Sequence, residues 1–253
     1  MIVDTGGFRA EMEGQKRRSR EARLESNGAA GGVRLELTAE QTSWLVDAGI
    51  ATTDDAAKPV WDKSREANGK AVFTSGGFLE EGEVAKEGTT VGMVLDMSSF
   101  YADSGGQDTN LGTISLEGGG DLSVDDVQLY SGYILHSGVV SGGLVSIGST
   151  VTCRVDYARR RDIAPNHSMT HVLNDALRKV LGEGCAQRGS QCNKEKLRVN
   201  FSHKSDMTPA LLRDMETYVD ERIRISPCLL LGDAAVRGQG HPRDVGRLWR
   251  GLP

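Results

Sequence analysis

The sequence contains no apolar run approaching the roughly 18 residues that a membrane-spanning helix needs, which excludes a helical membrane protein and sets no membrane as an expected partner. Its first residues, Met1-Ile2-Val3-Asp4-Thr5-Gly6-Gly7, have neither a basic flank nor an apolar core, so no secretory signal is expected. Cysteine is sparse. Cys153, Cys185, Cys192 and Cys228 fall far short of a disulfide scaffold, and a reducing, cytoplasmic compartment is the expectation. Proline is scarce as well, 6 residues against 32 glycines, so punctuation along the chain falls to glycine. At 38% hydrophobic and 26% charged residues, the composition excludes global disorder. A length of 253 residues allows one or two domains at about 150 residues each.

The net charge of −5 argues against a nucleic-acid binder, but its distribution is uneven. Between Arg154 and Lys204 there are 11 Lys and Arg against 5 Asp and Glu, a local +6 that leaves −11 for the rest. A basic segment in an acidic chain is the footprint of an anionic partner, although charge alone equally fits a solvated surface.

The chain divides into five stretches. Residues 1–32 read as a helical connector, highly charged over Phe8 to Glu25, followed by the flexible Ser26-Asn27-Gly28-Ala29-Ala30-Gly31-Gly32. Residues 33–68 hold a short helix over Thr38 to Ala48, with Thr38 as N-cap and Trp44 and Leu45 on its apolar face. Residues 69–155 are glycine-rich, and short strands such as 91–95, 112–116, 133–135 and 151–155 alternate with turns, the pattern of a small β-barrel or sandwich. Residues 156–224 turn helical. Met169, Val172, Leu173, Ala176, Leu177, Val180 and Leu181 keep helical spacing in a segment read as opening at Pro165-Asn166 and stopping at Gly182. A strand over Leu197, Val199 and Phe201 follows, then a helix from Thr208-Pro209 with Leu211, Leu212, Met215, Val219 and Ile223 inward. Residues 225–253, Arg- and Gly-rich, have no period of either kind. The fold class is therefore α+β: a short N-terminal helical segment, a Gly-rich β-barrel, then an α+β domain.

Two local patterns carry chemistry. In His167-Ser168-Met169-Thr170-His171 the histidines lie about 40° apart on a helix, one turn from each other and away from the apolar stripe. Two imidazoles so placed can bind one divalent metal, zinc included, yet such a pair also arises by chance and is only half of a tetrahedral site. Cys185 and Cys192 have no zinc-knuckle spacing, and Cys228, His241 and His203 make no second pair. In Phe100-Tyr101-Ala102-Asp103-Ser104-Gly105-Gly106-Gln107 the glycines let backbone approach a ligand closely while the amide reads it, or simply form a turn between strands.

In this order, the motifs resemble the alanyl-tRNA synthetase family, specifically its editing region, from about Val3 to Ile223. Val3-Asp4 through Gly7-Phe8, Glu11-Met12, Gln15 and Arg18-Ser19-Arg20 are similar to the segment leaving the aminoacylation half. Phe100-Tyr101-Ala102 with Gly105-Gly106-Gln107 resembles the glycine-rich editing motif, and Asn166 to His171 the first zinc half-site. Gln187, Gly189-Ser190, Leu197-Arg198 and Phe201-Ser202-His203 follow in the family's order.

The resemblance implies hydrolysis of serine or glycine wrongly attached to tRNA(Ala), and hence tRNA(Ala), including its mischarged forms, as partner. It implies Zn²⁺ held by His167 and His171, with the family's later C-x3-H pair absent here. Thr170, Gln107 and Ser98 would line the pocket, Ser98 standing where the family usually has Thr and Asn110 where it commonly has Asp. Arg159, Arg160, Arg161, Arg188, Lys196 and Arg198 would meet tRNA phosphates. ATP belongs to the ligation half of the family and is not expected to bind here, since the sequence shows neither G-x4-G-K-[ST] nor class II synthetase motifs. The alternative is a fragment that binds tRNA, or regulates, without turnover. No oligomeric state follows from the sequence.

Overall fold

The computed structural model describes residues 13–14 and 34–225. Apart from Glu13 and Gly14, which are helical, the charged stretch 8–25 lies outside the described residues, as do the linker and residues 226–253 of the tail with Cys228 and His241.

Helix α1 (Ala39–Asp47) begins where Thr38 N–H donates to Gln41 Oε1 at 2.8 Å. Among the described residues eleven strands follow in chain order: β1 (Arg65–Thr74), β2 (Gly77–Phe78), β3 (Val84–Lys86), β4 (Thr90–Leu95), β5 (Gly112–Leu116), β6 (Gly120–Tyr130), β7 (Tyr133–Gly142), β8 (Leu144–Ser146), β9 (Thr150–Val155), β10 (Ala186–Cys192) and β11 (Leu197–Ser202). Helix α2 (Tyr157–Leu181) lies between β9 and β10, and α3 (Pro209–Ile225) is the last described element.

Strands β1-β4-β7-β6-β5-β9 are paired antiparallel in that order, and a further β9–β1 pairing closes them into a six-stranded barrel. Closure demands strong local twist, supplied by register shifts between Gly69 and Ala71 on β1 and twice along β6 against β7. Gly138 is required at one of these crossings, because a Cβ there would sit 1.8 Å from Ser123 O. Met93, Leu95, Phe100, Ile114, Leu122 and Val151 fill the interior. On the outside of the wall, Leu45 of α1 packs with Leu35, Phe73, Tyr133 and Leu135, while Trp44 remains 43% exposed and stacks on Phe78.

The expected barrel is present, but it starts four residues before position 69, because Arg65 to Asn68 pair with β9 to make the closure. Two helical expectations change. Helix α2 opens at Tyr157, capped by Asp156 Oδ1 accepting from Arg159 N–H at 2.9 Å, and Pro165 lies inside it. On α3 the buried residues are Met215 and Val219, one turn apart, whereas Leu212, on the same face one turn earlier, is 45% exposed. Helices α2 and α3 and the antiparallel pair β10–β11 form a small second unit against the barrel.

Candidate active site

The glycine-rich loop between β4 and β5 leaves the barrel at Ser98 and returns at Asn110. Its neck is closed by reciprocal bonds: Tyr101 N–H donates to Asn110 Oδ1 and Asn110 N–H to Tyr101 O, both at 3.0 Å. Gly105 and Gly106 have φ of +61° and +82°, a region only glycine enters freely. Gly106 also abuts β10, since a Cβ would meet Ser190 O at 2.3 Å. The close backbone approach foreseen for this motif is thus made to the chain's own hairpin. Cys192 N–H donates to Gly106 O at 2.6 Å, Asp108 N–H to Cys192 O at 2.9 Å and Ser190 Oγ–H to Gly105 O at 3.0 Å.

Helix α2 brings its histidine pair to this junction. The rings of His167 and His171 lie 5.4 Å apart, tilted by 44°. His171 is exposed, whereas His167 is half-buried beneath Tyr101, ring edge to ring face at 6.1 Å. A Cβ on Gly105 would lie 3.1 Å from His167 Cε1, so the glycine gives the imidazole room. Burial, and then the neighbouring His171, depress the pKa of His167. Its Nδ1 is buried without a hydrogen-bond partner, an orphan polar atom of the kind found where something else is meant to bind.

The three residues expected to line a pocket are all buried, and they occupy two places. Thr170 Oγ1–H donates to Asn166 O at 3.0 Å and lies 3.2 Å from Cys192 Sγ. Gln107 pairs with Cys192 from the other side. Ser98 is apart from both, inside the barrel wall, with Oγ 2.7 Å from His136 Nε2 and accepting from Phe100 N–H at 3.1 Å. His136 Nδ1 sits 3.0 Å from Met93 O, and burial lowers the pKa of this histidine to about 4. The imidazole is therefore neutral: Nδ1–H donates to Met93 O, and Ser98 Oγ–H donates to Nε2.

His136 is a hub that sequence reasoning missed. Its signal was a titratable residue directly after the apolar Tyr133-Ile134-Leu135, on a strand buried on both faces. Cys192, where Thr170 and Gln107 meet, carried no such signal.

Of the basic residues, Arg161, Arg188, Lys196 and Arg198 are exposed, the last three on the β10–β11 hairpin. Arg160 is placed otherwise. It is 5% exposed, its guanidinium 5.0 Å from the Trp61 ring and 5.7 Å from that of Tyr157, so it does not face outward. Arg159 is half-buried against Asp108 and Thr109.

Among the described residues the donor set does not complete a metal site. A zinc ion needs three or four protein ligands, and among the described residues no third His, Cys, Asp or Glu joins His167 and His171. His203 is exposed, its Nε2 3.1 Å from Ser205 Oγ.

Residues 1–159 match the family model described as tRNA synthetases class II (A). The chain belongs to that family, and within it to the alanyl-tRNA synthetases. It is 36% identical over 223 residues to an alanine–tRNA ligase of Schizosaccharomyces pombe, an alignment covering 88% of this chain and 23% of the relative. The alanine–tRNA ligase of Dehalococcoides mccartyi is 40% identical over 225 residues, with 88% and 24% covered. A mitochondrial alanine–tRNA ligase of Saccharomyces cerevisiae is 34% identical over 190 residues, with 75% and 19% covered. The chain spans about a quarter of the length of the first two relatives. The matched span of the class II model includes the whole barrel of this synthetase chain. Among the relatives are a cytoplasmic form from Bombyx mori and the mitochondrial one. No helix among the described residues is long and apolar enough to cross a membrane.

Proposed function

We propose that this chain is the part of an alanine–tRNA ligase that removes a wrongly attached serine or glycine from tRNA(Ala), acting in the cytoplasm. Family membership supports tRNA as the partner of the whole enzyme, which would join alanine to tRNA at the expense of ATP. Ester hydrolysis, not ligation, is our reading of the part in hand. The observation that carries it is the imidazole pair His167–His171 beside the docked glycine-rich turn, with one buried ring nitrogen lacking a partner. Ester cleavage needs a water that attacks the carbonyl and gives up a proton, and an accessible imidazole such as that of the exposed His171 is the side-chain type suited to orient and deprotonate it. The exposed Arg161, Arg188, Lys196 and Arg198 would hold the anionic tRNA strand alongside. No step is assigned to zinc, because two ligands neither fix its geometry nor leave it a defined open position.

A second reading is tRNA binding without turnover. It is favoured by the burial of Ser98, Gln107 and Thr170, the two hydroxyls already bonded within the protein. The two readings separate in one experiment on the purified chain, in which binding and deacylation of seryl-tRNA(Ala) are followed together. Salt-dependent binding with release of serine supports hydrolysis. The same binding without release leaves the second reading.

A further inference from the structure

Three consecutive arginines, Arg159-Arg160-Arg161, open helix α2, and on charge alone all three belong to the anion-binding segment. Their side chains part company in the structure. Arg160 Nη1–H donates to Ser99 O at 3.3 Å, at the start of the glycine-rich loop, and its guanidinium is held against the rings of Trp61 and Tyr157. Tyr157 Oη–H bonds Val60 O and Lys63 O at 3.3 and 3.0 Å, which fixes the strand of chain that carries Trp61. Arg159 Nη1–H donates to Thr109 O at 2.6 Å and Nη2 faces Asp108 Oδ2 at 3.4 Å, at the end of the same loop. Arg161 alone is exposed.

We propose that Arg159 and Arg160 are positioning residues that clamp the two ends of the loop 98–110 onto helix α2, leaving Arg161 as the one member of the triplet that meets an anionic partner. The geometry is economical. Helix α2 carries His167 two turns further on, so the element that displays the imidazoles also grips both feet of the loop that packs on them. Asn110 closes the neck between the two grips, and β10 holds the tip through Gly106 and Asp108. A loop fixed at its start, neck, tip and end holds Gly105 against His167 in one arrangement, the rigidity that a positioned water or ester requires. The consequence for hydrolysis rests on the function proposed above, whereas the clamp itself does not.

Matched Arg159→Met, Arg160→Met and Arg161→Met variants test it, because methionine keeps the stem and removes donors and charge together. Two quantities are read in each: amide hydrogen exchange at Tyr101, Asp108 and Asn110, and the slope of log affinity for tRNA(Ala) against log salt. Loss of a charge-assisted hydrogen bond at position 159 or 160 is expected to speed exchange in the loop about tenfold, with the salt slope unchanged. Arg161→Met is expected to leave exchange alone and to lower the slope by about 0.7–0.9, the contribution of one phosphate. If the chain turns over seryl-tRNA(Ala), the two clamp variants lower kcat and Arg161→Met raises KM. Unchanged loop exchange in Arg159→Met, or a fall in its salt slope equal to that of Arg161→Met, overturns the proposal. Should Arg160→Met also speed exchange in β4, its effect is global and the half-buried Arg159 decides. A wild-type chain that does not bind tRNA refutes the proposed function while leaving the exchange result to judge the clamp.

Discussion

The barrel and the unit made of α2, α3 and the β10–β11 hairpin bury their residues in different ways. Inside the barrel Met93, Leu95, Phe100, Ile114 and Leu122 are completely inaccessible, and even its one histidine, His136, is sealed in and bonded at both nitrogens. The second unit has two thin clusters, Met169, Ala176 and Val219 in one and Leu177, Cys185 and Met215 in the other, beside a hairpin whose cations face solvent. The difference teaches where precision comes from. A closed sheet without edges is a rigid base, while an open two-stranded ribbon with a helix behind it is marginal alone and gains order by docking. The candidate site lies on the seam, where a loop of the rigid part is held by the helix and ribbon of the looser one.

The contrast can be broken or sharpened by substitution. Ile114→Ala, in the barrel interior, should cost about 2–5 kcal/mol and unfold the whole chain in one transition by urea denaturation. Acid comes next. Burial lowers the pKa of His136 from 6.5 in the unfolded chain to about 4, so the unfolded state takes up its proton first. Stability is then complete above pH 6.5 and falls as the pH drops towards 4, by about 3 kcal/mol. His136→Asn should flatten that part of the curve of urea midpoint against pH, and an unaltered slope would contradict the burial argument.

Gly106→Ala acts at the seam. A Cβ would strike Ser190 O, and φ is +82°, so roughly 2 kcal/mol of docking should be lost. Exchange at the Asp108 and Cys192 amides should then accelerate while β4 and β7 stay protected. Val219→Ala, in the thinner unit, should cost about 1–2 kcal/mol and show as early melting of α3 alone. A single transition shifted as far as that of Ile114→Ala would mean that the two regions fold as one.

Much of this was legible in the sequence, and the gaps have physical reasons. The strands at 91–95, 112–116, 133–135 and 151–155 announced themselves through local composition, and the histidine pair through its spacing. The first two turns of α2 stayed hidden because one of their buried positions is Arg160, whose burial rests on Trp61 and Tyr157, not on an apolar side chain. Strand β10, Ala-Gln-Arg-Gly-Ser-Gln-Cys, has no alternation and owes its extended form to pairing with β11. The start of β1 is likewise a long-range matter, defined by β9. At the site, spacing located His167 and His171, but it did not show that Thr170 and Gln107 meet at Cys192, or that Ser98 faces the opposite way into the barrel wall.

The most direct test of the hydrolytic reading is single-turnover release of serine from seryl-tRNA(Ala) by the purified chain, compared with a His171→Ala variant. His171 is exposed, so its loss should leave the fold intact. The account predicts release well above the uncatalysed rate by the wild-type chain and its loss in the variant, with tRNA binding retained in both. Binding of equal strength with no release by the folded wild-type chain, or release indifferent to His171, would contradict it.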